Sequence, residues 1–461
     1  MAARGDDLLD GSARAIAQVI ADKKVSATEM TEAAIARIEL RDEKINAVVV
    51  RDFDRAVAAA KSADAAIARG ERKPLLGVPI TVKESHNVAG LPTTWGYEPF
   101  KGYIAPEDSV GVKRLKAAGA IILGKTNVPV GLADWQSFNP IYGRTSNPWN
   151  LKRSPGGSSG GSSAALAARV VPLEFGSDIG GSIRVPAVFC GVYGHKPSFG
   201  IIPRRGQSPP GANGAPTPLS VVGPMARTAE DLAIALGVLA GPDEDDAIAY
   251  RLELPRPRRQ RLNEFRVLIL DQHPTVATDA EIKAALNDLA RKLEAADAPV
   301  ARTSSLLPDL GAAHDAYLPM MLAIMSRGQP DATSPSAHEF MAFADTQARV
   351  RRQWAALFAE FDLVLAPAYG GLAFEHDDEP DQTRRRLIIN GQPTPFMTQL
   401  AWPGVATFAN LPATAIPLTV SREGLPVGIQ IIGPYLEDLT TIEFAKLLER
   451  EFGGFRPAPG Y

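Results

Sequence analysis

Apolar side chains in the first 70 residues recur at the three- and four-residue steps of helices with one buried face. Ser26 and Glu29 form a capping-box pattern ahead of Met30, Ala34, Ile35 and Ile38, which share one helical face. Residues 45–50 are a short β-branched run and predict a strand, and the Ala-rich stretch 52–69 predicts a helix. From about residue 76 the texture changes. Residues 78–82 and 120–123 read as short apolar strands with a helix over 109–118 between them. Within a segment dense in Gly and Ser, 164–168 reads as a helix and 170–175 as a strand. Residues 203–218, rich in Pro and Gly, predict a loop.

The rhythm resumes with a strand over 265–270 and a helix over 279–295. Late strands are expected over 413–420 and 427–432, and a closing helix over 439–450. Residues 310–400, broken by prolines and charges, read as irregular. Residues 241–263 carry an acidic cluster and then the basic run 256–261, read as a solvated connector. There is no internal repeat. Strand-helix alternation on both sides of the middle loop argues for one large α/β domain with a substantially parallel or mixed sheet.

Composition narrows the function classes. With 461 residues and 45% hydrophobic content, the chain can build a large buried core. A net charge of −3 points to neither nucleic acid nor an anionic membrane surface. The single cysteine, Cys190, excludes an internal disulfide and fits a reducing compartment; its apolar neighbours predict a buried structural thiol. One Cys and six scattered His give no metal-ligand spacing, so no metal is expected. Asp6, Asp7 and Asp10 and the break at Gln18 in residues 15–20 do not fit a secretory leader. No run approaches the roughly 18 apolar residues of a membrane span. The expectation is a soluble cytoplasmic protein without a cofactor.

Two motif matches fail on context. Gly119, Gly124, Lys125 and Thr126 satisfy the phosphate-loop pattern, but the intervening Ala-Ile-Ile-Leu is a strand core rather than a flexible cradle of N–H groups. Gly156-x-Ser158-x-Gly160 and Gly157-x-Ser159-x-Gly161 satisfy the nucleophile-elbow pattern. The residues before them, 146–155, are polar and contain two prolines, and an elbow must follow a buried strand. A triad would also need a downstream His, and His195, His273, His314, His338 and His376 all lack a recognisable context.

What remains is Ser154-Pro-Gly-Gly-Ser-Ser-Gly-Gly-Ser-Ser163 followed by Gly176-Ser-Asp-Ile-Gly-Gly-Ser-Ile-Arg184. A flexible linker is the plain alternative, but linkers are not interrupted by a helix and a strand. Paired glycines before serine instead suit close backbone approach to a substrate.

Residues 154–198 resemble the signature segment of the amidase signature family. Gly77-Val-Pro79 leading to Lys83, Ala89-Gly-Leu-Pro-Thr-Thr94, Asn147-Pro-Trp-Asn150 and Gly424-Leu-Pro-Val-Gly428 are also similar. The resemblance is strong over 70–230 and weak over 300–400. It implies a single α/β domain over 1–461 with a mixed, largely parallel central sheet covered by helices on both faces. Within it, 1–70 would be a helical segment, 71–230 the catalytic core and 264–461 the rest of the sheet and pocket.

The resemblance further implies a Ser–Ser–Lys triad. Ser182 matches the nucleophile, Ser158 the bridging serine and Lys83 the base, with a cis peptide before Ser158. Without the Gly/Ser block, Lys83 would read as a surface lysine at a strand end. Lysine serves as a base only when neutral. A shift from about 10.4 to 7–8 requires roughly 3–4 kcal/mol of disfavoured charge, which burial without a close acidic partner would supply. Activity should then rise with pH up to about 8. The backbone N–H groups of Ile179, Gly180, Gly181 and Ser182 are the candidate oxyanion hole. Asp178 and Arg184 are expected to hold the loop's shape, and Ser159 and Ser177 to lend hydrogen bonds.

Many family members carry Lys-Asp-Asn where this chain has Lys83-Glu84-Ser85-His86-Asn87. Trp135, Gln136, Phe138 and Tyr142 are candidates for an acyl or aryl pocket, with ordinary core aromatics as the alternative. Met320, Met321 and Met325 are expected to shape the rest. A small aliphatic or aryl amide, an anilide or a carbamate would fit, and a homodimer is compatible. Two rivals stand beside the amidase: a glutaminase subunit of an amidotransferase assembly, and a non-catalytic binding protein on the same scaffold.

Overall fold

The computed structural model describes residues 7–212, 214–327 and 334–461. Asp6, residue 213 of the expected loop and residues 328–333 of the region read as irregular lie outside the described residues.

Eleven strands form one sheet: β1 (Val48–Arg51), β2 (Pro79–Lys83), β3 (Ile121–Thr126), β4 (Leu173–Asp178), β5 (Tyr193–Lys196), β6 (Val221–Ala226), β7 (Val267–Ile269), β8 (Val300–Ala301), β9 (Leu363–Ala366), β10 (Ala413–Val420) and β11 (Pro426–Ile432). Their spatial order is β1-β3-β2-β4-β6-β5-β10-β11-β9-β7-β8. The helices that matter below are α1 (Ala27–Arg41), α2 (Phe53–Ala68), α3 (Val110–Ala117), α4 (Gly160–Ala167), α5 (Arg184–Cys190), α6 (Ala280–Ala295), α7 (Leu310–Met325), α8 (Ala337–Glu360), α9 (Ala401–Phe408) and α10 (Asp438–Phe452).

The sheet is mixed, and its parallel pairing falls in two blocks. On one flank β2 runs parallel to β3 and β4, and on the other β7 runs parallel to β8 and β9. Parallel neighbours need a crossover, and α3 supplies it between β2 and β3, α6 between β7 and β8. The strands between the blocks pair antiparallel. There the short connection between β10 and β11 makes a hairpin. Strands β2 to β6 and β11 are buried at every position, as covering both faces of a sheet requires.

Local signals explain several boundaries. Ser26 caps α1 through the expected capping box with Glu29, and Ser109 caps α3. The Gly-Lys-Thr of the rejected phosphate loop lies inside β3. A side chain at Gly124 would come within 2.1 Å of the Val50 carbonyl, so this glycine serves the close approach of β1.

Two expectations need correction. Residues 310–400 are not irregular: they contain α7, α8, β9 and the hairpin Arg386–Ile389/Gln392–Pro395. Helix α7 carries Pro319 in its interior, and α8 buries only Val350, Trp354, Leu357 and Phe358. A proline in one helix and a mostly polar surface on the other mask the helical period. The basic run 256–261 is also not simply solvated. Arg258 donates to both oxygens of Glu437 and to the Phe358 carbonyl, and Arg259 pairs with Asp362. These partners lie more than 90 residues away in sequence, beyond the reach of local composition. Among the described residues, no helix is long and apolar enough to cross a membrane.

Candidate active site

Lys83 ends β2 and Asp178 ends the parallel neighbour β4, with Val82 paired to Phe175. The carboxyl ends of parallel strands are where an α/β sheet leaves side chains facing a crevice. The Gly/Ser segment before α4 lies against this edge. The Ser159 N–H donates to the Ser182 carbonyl at 3.1 Å, which stitches the two Gly/Ser segments together. The peptide between Gly157 and Ser158 is cis, as the resemblance implied.

The Lys83 amine is fully buried. It lies 2.6 Å from Ser158 Oγ, 2.9 Å from Ser159 Oγ and 2.9 Å from Ser177 Oγ. Burial pushes its pKa well below the ordinary lysine value; the Asp178 charge opposes that shift and the Arg204 charge adds to it. The expectation that no acid stands near is therefore corrected: Asp178 acts on Lys83, although burial wins. An uncharged amine surrounded by hydroxyls can accept a proton from one of them.

Asp178 organises the loop that carries Ser182. Its Oδ1 accepts from the Gly181 N–H at 2.9 Å, and its Oδ2 from the Ile183 N–H at 3.1 Å. Arg184 grips the same carboxylate through Nε and Nη2, both at 3.0 Å. Burial pushes the Asp178 pKa up, but Arg184 and Lys196 outweigh it and hold it at about 2. Arg184 also donates to Pro403 O, Gln430 Oε1 and Thr407 Oγ1. These contacts tie the pair to the backbone of the loop and to α9 and β11.

The loop's carbonyls are all engaged. Ile179 O accepts from the Tyr317 hydroxyl, Gly180 O from Trp135 Nε1, and Gly181 O from the Val185 N–H. The Gly181 N–H is turned inward to Asp178, so it differs from the other three expected oxyanion donors. Gly181 has φ +94°, and a side chain there would come within 2.7 Å of Val185 Cγ2. At Gly157 a side chain would lie 2.3 Å from the Asp134 carbonyl.

Ser182, Ile179 and Gly180 open onto a cavity of about 130 Å³. Its wall is largely apolar: Leu132, Trp135, Met321, Leu322, Met325, Met397 and Leu400, with Asp134 and Gln382 as polar members. Of the four pocket residues expected from sequence, only Trp135 lines it. Gln136 instead pairs its amide with the backbone of Asp377 in both directions, at 2.8 and 3.0 Å. Phe138 is 47% exposed and lies under the Arg144 guanidinium. The Tyr142 hydroxyl donates to Glu84 at 3.2 Å. Met321 and Met325 are in the wall as expected, whereas Met320 is buried outside it.

Glu84 points away from the amine. It accepts from Thr94 N and Oγ1 and from Trp95 N, so the longer arm anchors a neighbouring turn. Cys190 is a buried free thiol whose pKa burial raises. Among the described residues, no group of three or more His, Cys, Asp and Glu could hold a metal ion. A larger cleft of about 670 Å³ lies between α6 and α10, lined by neither Lys83 nor the serines. Sequence reading missed Tyr317, Leu400 and Met397, which reach the site from distant segments.

The family model described as Amidase matches residues 29–327 and 322–442. The chain is 33% identical to a glutamyl-tRNA(Gln) amidotransferase subunit from Anaeromyxobacter sp. (strain K) over 492 residues, covering 95% of this chain and 96% of the relative. It is 32% identical to Fatty-acid amide hydrolase 2-A of Danio rerio over 489 residues, covering 96% and 89%. A solved bacterial aryl acylamidase of the amidase signature family superposes with a TM-score of 0.83 at 29% identity, covering 95% and 96%. Sequence, fold and relatives agree, and the chain belongs to the amidase signature family of amide-hydrolysing enzymes.

Proposed function

We propose that this enzyme cleaves amides through an acyl-enzyme on Ser182, with Ser158 and Lys83 relaying the proton. The observation that carries the reading is the buried Lys83 amine 2.6 Å from Ser158 Oγ. An amide is a poor electrophile, so a serine hydroxyl needs a base to attack it. Ser158 passes its proton to neutral Lys83 and takes the proton of Ser182. Ser182 Oγ then adds to the carbonyl carbon. The N–H groups of Ile179, Gly180 and Ser182 are the donors left for the oxyanion, because Gly181 is committed to Asp178. On collapse the C–N bond breaks and the leaving nitrogen takes the proton back through Ser158. Water then repeats the sequence on the acyl-enzyme, releasing the acid and restoring Ser182.

The cavity supports a substrate class. A largely apolar wall of about 130 Å³ suits an aryl or short alkyl group on the amide. The decisive experiment is a hydrolysis screen over aliphatic amides, anilides, a carbamate and glutamine, with Ser182→Ala as the control. Turnover of an aryl or alkyl amide that vanishes in a folded Ser182→Ala variant supports the proposal. Retained turnover in that variant rejects it.

A second reading, a glutaminase subunit, draws on the amidotransferase relatives. Glutamine carries an ammonium and a carboxylate that need charged partners, and among the described residues Asp134 is the one formally charged side chain in the wall. Its carboxylate is already paired with Arg385 at 2.6 Å. Turnover confined to glutamine and dependent on a partner would favour this second reading.

A further inference from the structure

Tyr317 stands behind the loop that carries Ser182 and belongs to no part of the proton relay. Its ring is buried in α7, and its hydroxyl donates to the Ile179 carbonyl at 3.1 Å. The Met321 sulfur lies 3.3 Å away as a weaker neighbour. The fold makes room for this ring. At Gly404 in α9 a side chain would come within 2.7 Å of Tyr317 Cδ1, so the helix presents bare backbone there. Burial raises the hydroxyl's pKa, so it stays a protonated donor.

The Ile179–Gly180 peptide is planar and trans, so its C=O and N–H point to opposite sides. Holding the carbonyl from the α7 side therefore fixes the direction of the Gly180 N–H. A hydrogen bond to the carbonyl also polarises the peptide and strengthens the N–H as a donor. The next peptide is fixed in the same way but differently used: Trp135 holds Gly180 O at 2.9 Å, and the Gly181 N–H goes to Asp178. Of these two neighbouring peptides, the one bound by Tyr317 leaves its N–H to the substrate.

We infer that Tyr317 is a positioning residue for amide cleavage: its hydroxyl orients and polarises the Ile179–Gly180 peptide so that the Gly180 N–H meets the oxyanion. The inference rests on the Ser182 reading above. It predicts a residue whose loss is felt in the transition state and not in substrate binding.

The test is Tyr317→Phe in the full chain, assayed on the best amide of the screen and with phenylboronic acid, which forms a tetrahedral anionic adduct on a serine nucleophile. The expected result is a fall in kcat of about tenfold, less than the roughly 100- to 1,000-fold of losing a donor outright, with KM unchanged within about twofold. Boronic acid binding should weaken by the same factor as kcat. Gly404→Ala, which keeps the hydroxyl group but pushes the ring from its seat and so moves the hydroxyl off Ile179 O, should give the same split. Folded variants with unchanged kcat, or with raised KM and normal kcat, overturn the inference while leaving Ser182 in its role. Persistent turnover in Ser182→Ala would instead reject the reading on which it rests.

Discussion

Replacing Asp178 by Asn tests the site's electrostatics and its architecture together. The substitution keeps the shape and one acceptor oxygen but removes a charge that faces both Arg184 and Lys83. Its effect on stability can be worked from the pKa. A carboxyl held at about 2 rather than 3.8 contributes about 2 kcal/mol near neutrality. This contribution is fully present above the ordinary value and is lost as pH falls through the folded one. Removing one partner of a buried pair typically costs about 3–5 kcal/mol, because the other charge is left unpaired. Arg184 keeps its bonds to Pro403, Gln430 and Thr407, which places the cost near about 3 kcal/mol. With an unfolding entropy scaled to 461 residues, that lowers Tm by about 3 °C. The second readout is kinetic. The Asp178 charge favours the protonated form of Lys83, so its removal lets the amine lose its proton at lower pH. The acid limb of the kcat/KM profile should therefore move down in pH even as the protein becomes less stable. Thermal unfolding and a pH series on the same preparation decide it. An acid limb that moves up, or an unchanged Tm, would refute the reasoning.

Three further outcomes follow from the same geometry. In the wild-type enzyme kcat/KM should rise with pH as Lys83 loses its proton and then level off; a rate flat from about pH 5 to 9 would contradict a lysine base. Arg204→Gln removes a cation that helps keep Lys83 neutral, so its acid limb should move up, opposite in sign to Asp178→Asn. A shift in the same direction for both variants would break the assignment. Gly181→Ala puts a side chain 2.7 Å from Val185 Cγ2 at φ +94° and should cost about 2–4 kcal/mol with loss of turnover, read by unfolding and by a burst assay.

The two halves of the site were unequally legible in the sequence. Ser158 and Ser182 of the proposed relay lie in short segments of unusual Gly and Ser content, and Lys83 lies beside them. Glycine pairs before Ser158 and Ser182 stand where backbone must pass within van der Waals range of its neighbours, as Gly157 does beside Asp134 and Gly181 beside Val185. These positions are readable because close packing of backbone leaves a local trace in the sequence. The wall of the cavity leaves none. Tyr317 reaches Ile179 across 138 positions, and nothing in the sequence of α7 distinguishes that tyrosine from a core aromatic. Gln136 is the converse case: it sits one residue from the cavity-lining Trp135, yet its amide is engaged by Asp377, 241 positions away.

That asymmetry has a physical origin. A base and its hydroxyls must be held within hydrogen-bond range of one another, so they sit on strand ends and tight turns whose backbone conformations restrict the residue type. An apolar wall needs only volume and the absence of charge, which Leu, Met and Trp supply interchangeably from any element that passes nearby. Met321 and Met325 from α7, Met397 and Leu400 from just before α9, and Leu132 from a short 3-10 turn after β3 converge on one cavity without sharing a motif. Helix α7 joins the two kinds of residue. It sends two methionines into the cavity and one tyrosine to the Ile179 carbonyl in the loop that carries Ser182, so a change in its seating would move the cavity wall and that loop together. Substitutions within α7 that alter substrate preference should therefore change kcat as well as KM, whereas substitutions at Leu132, which lines the cavity from a different element, should act mainly on KM.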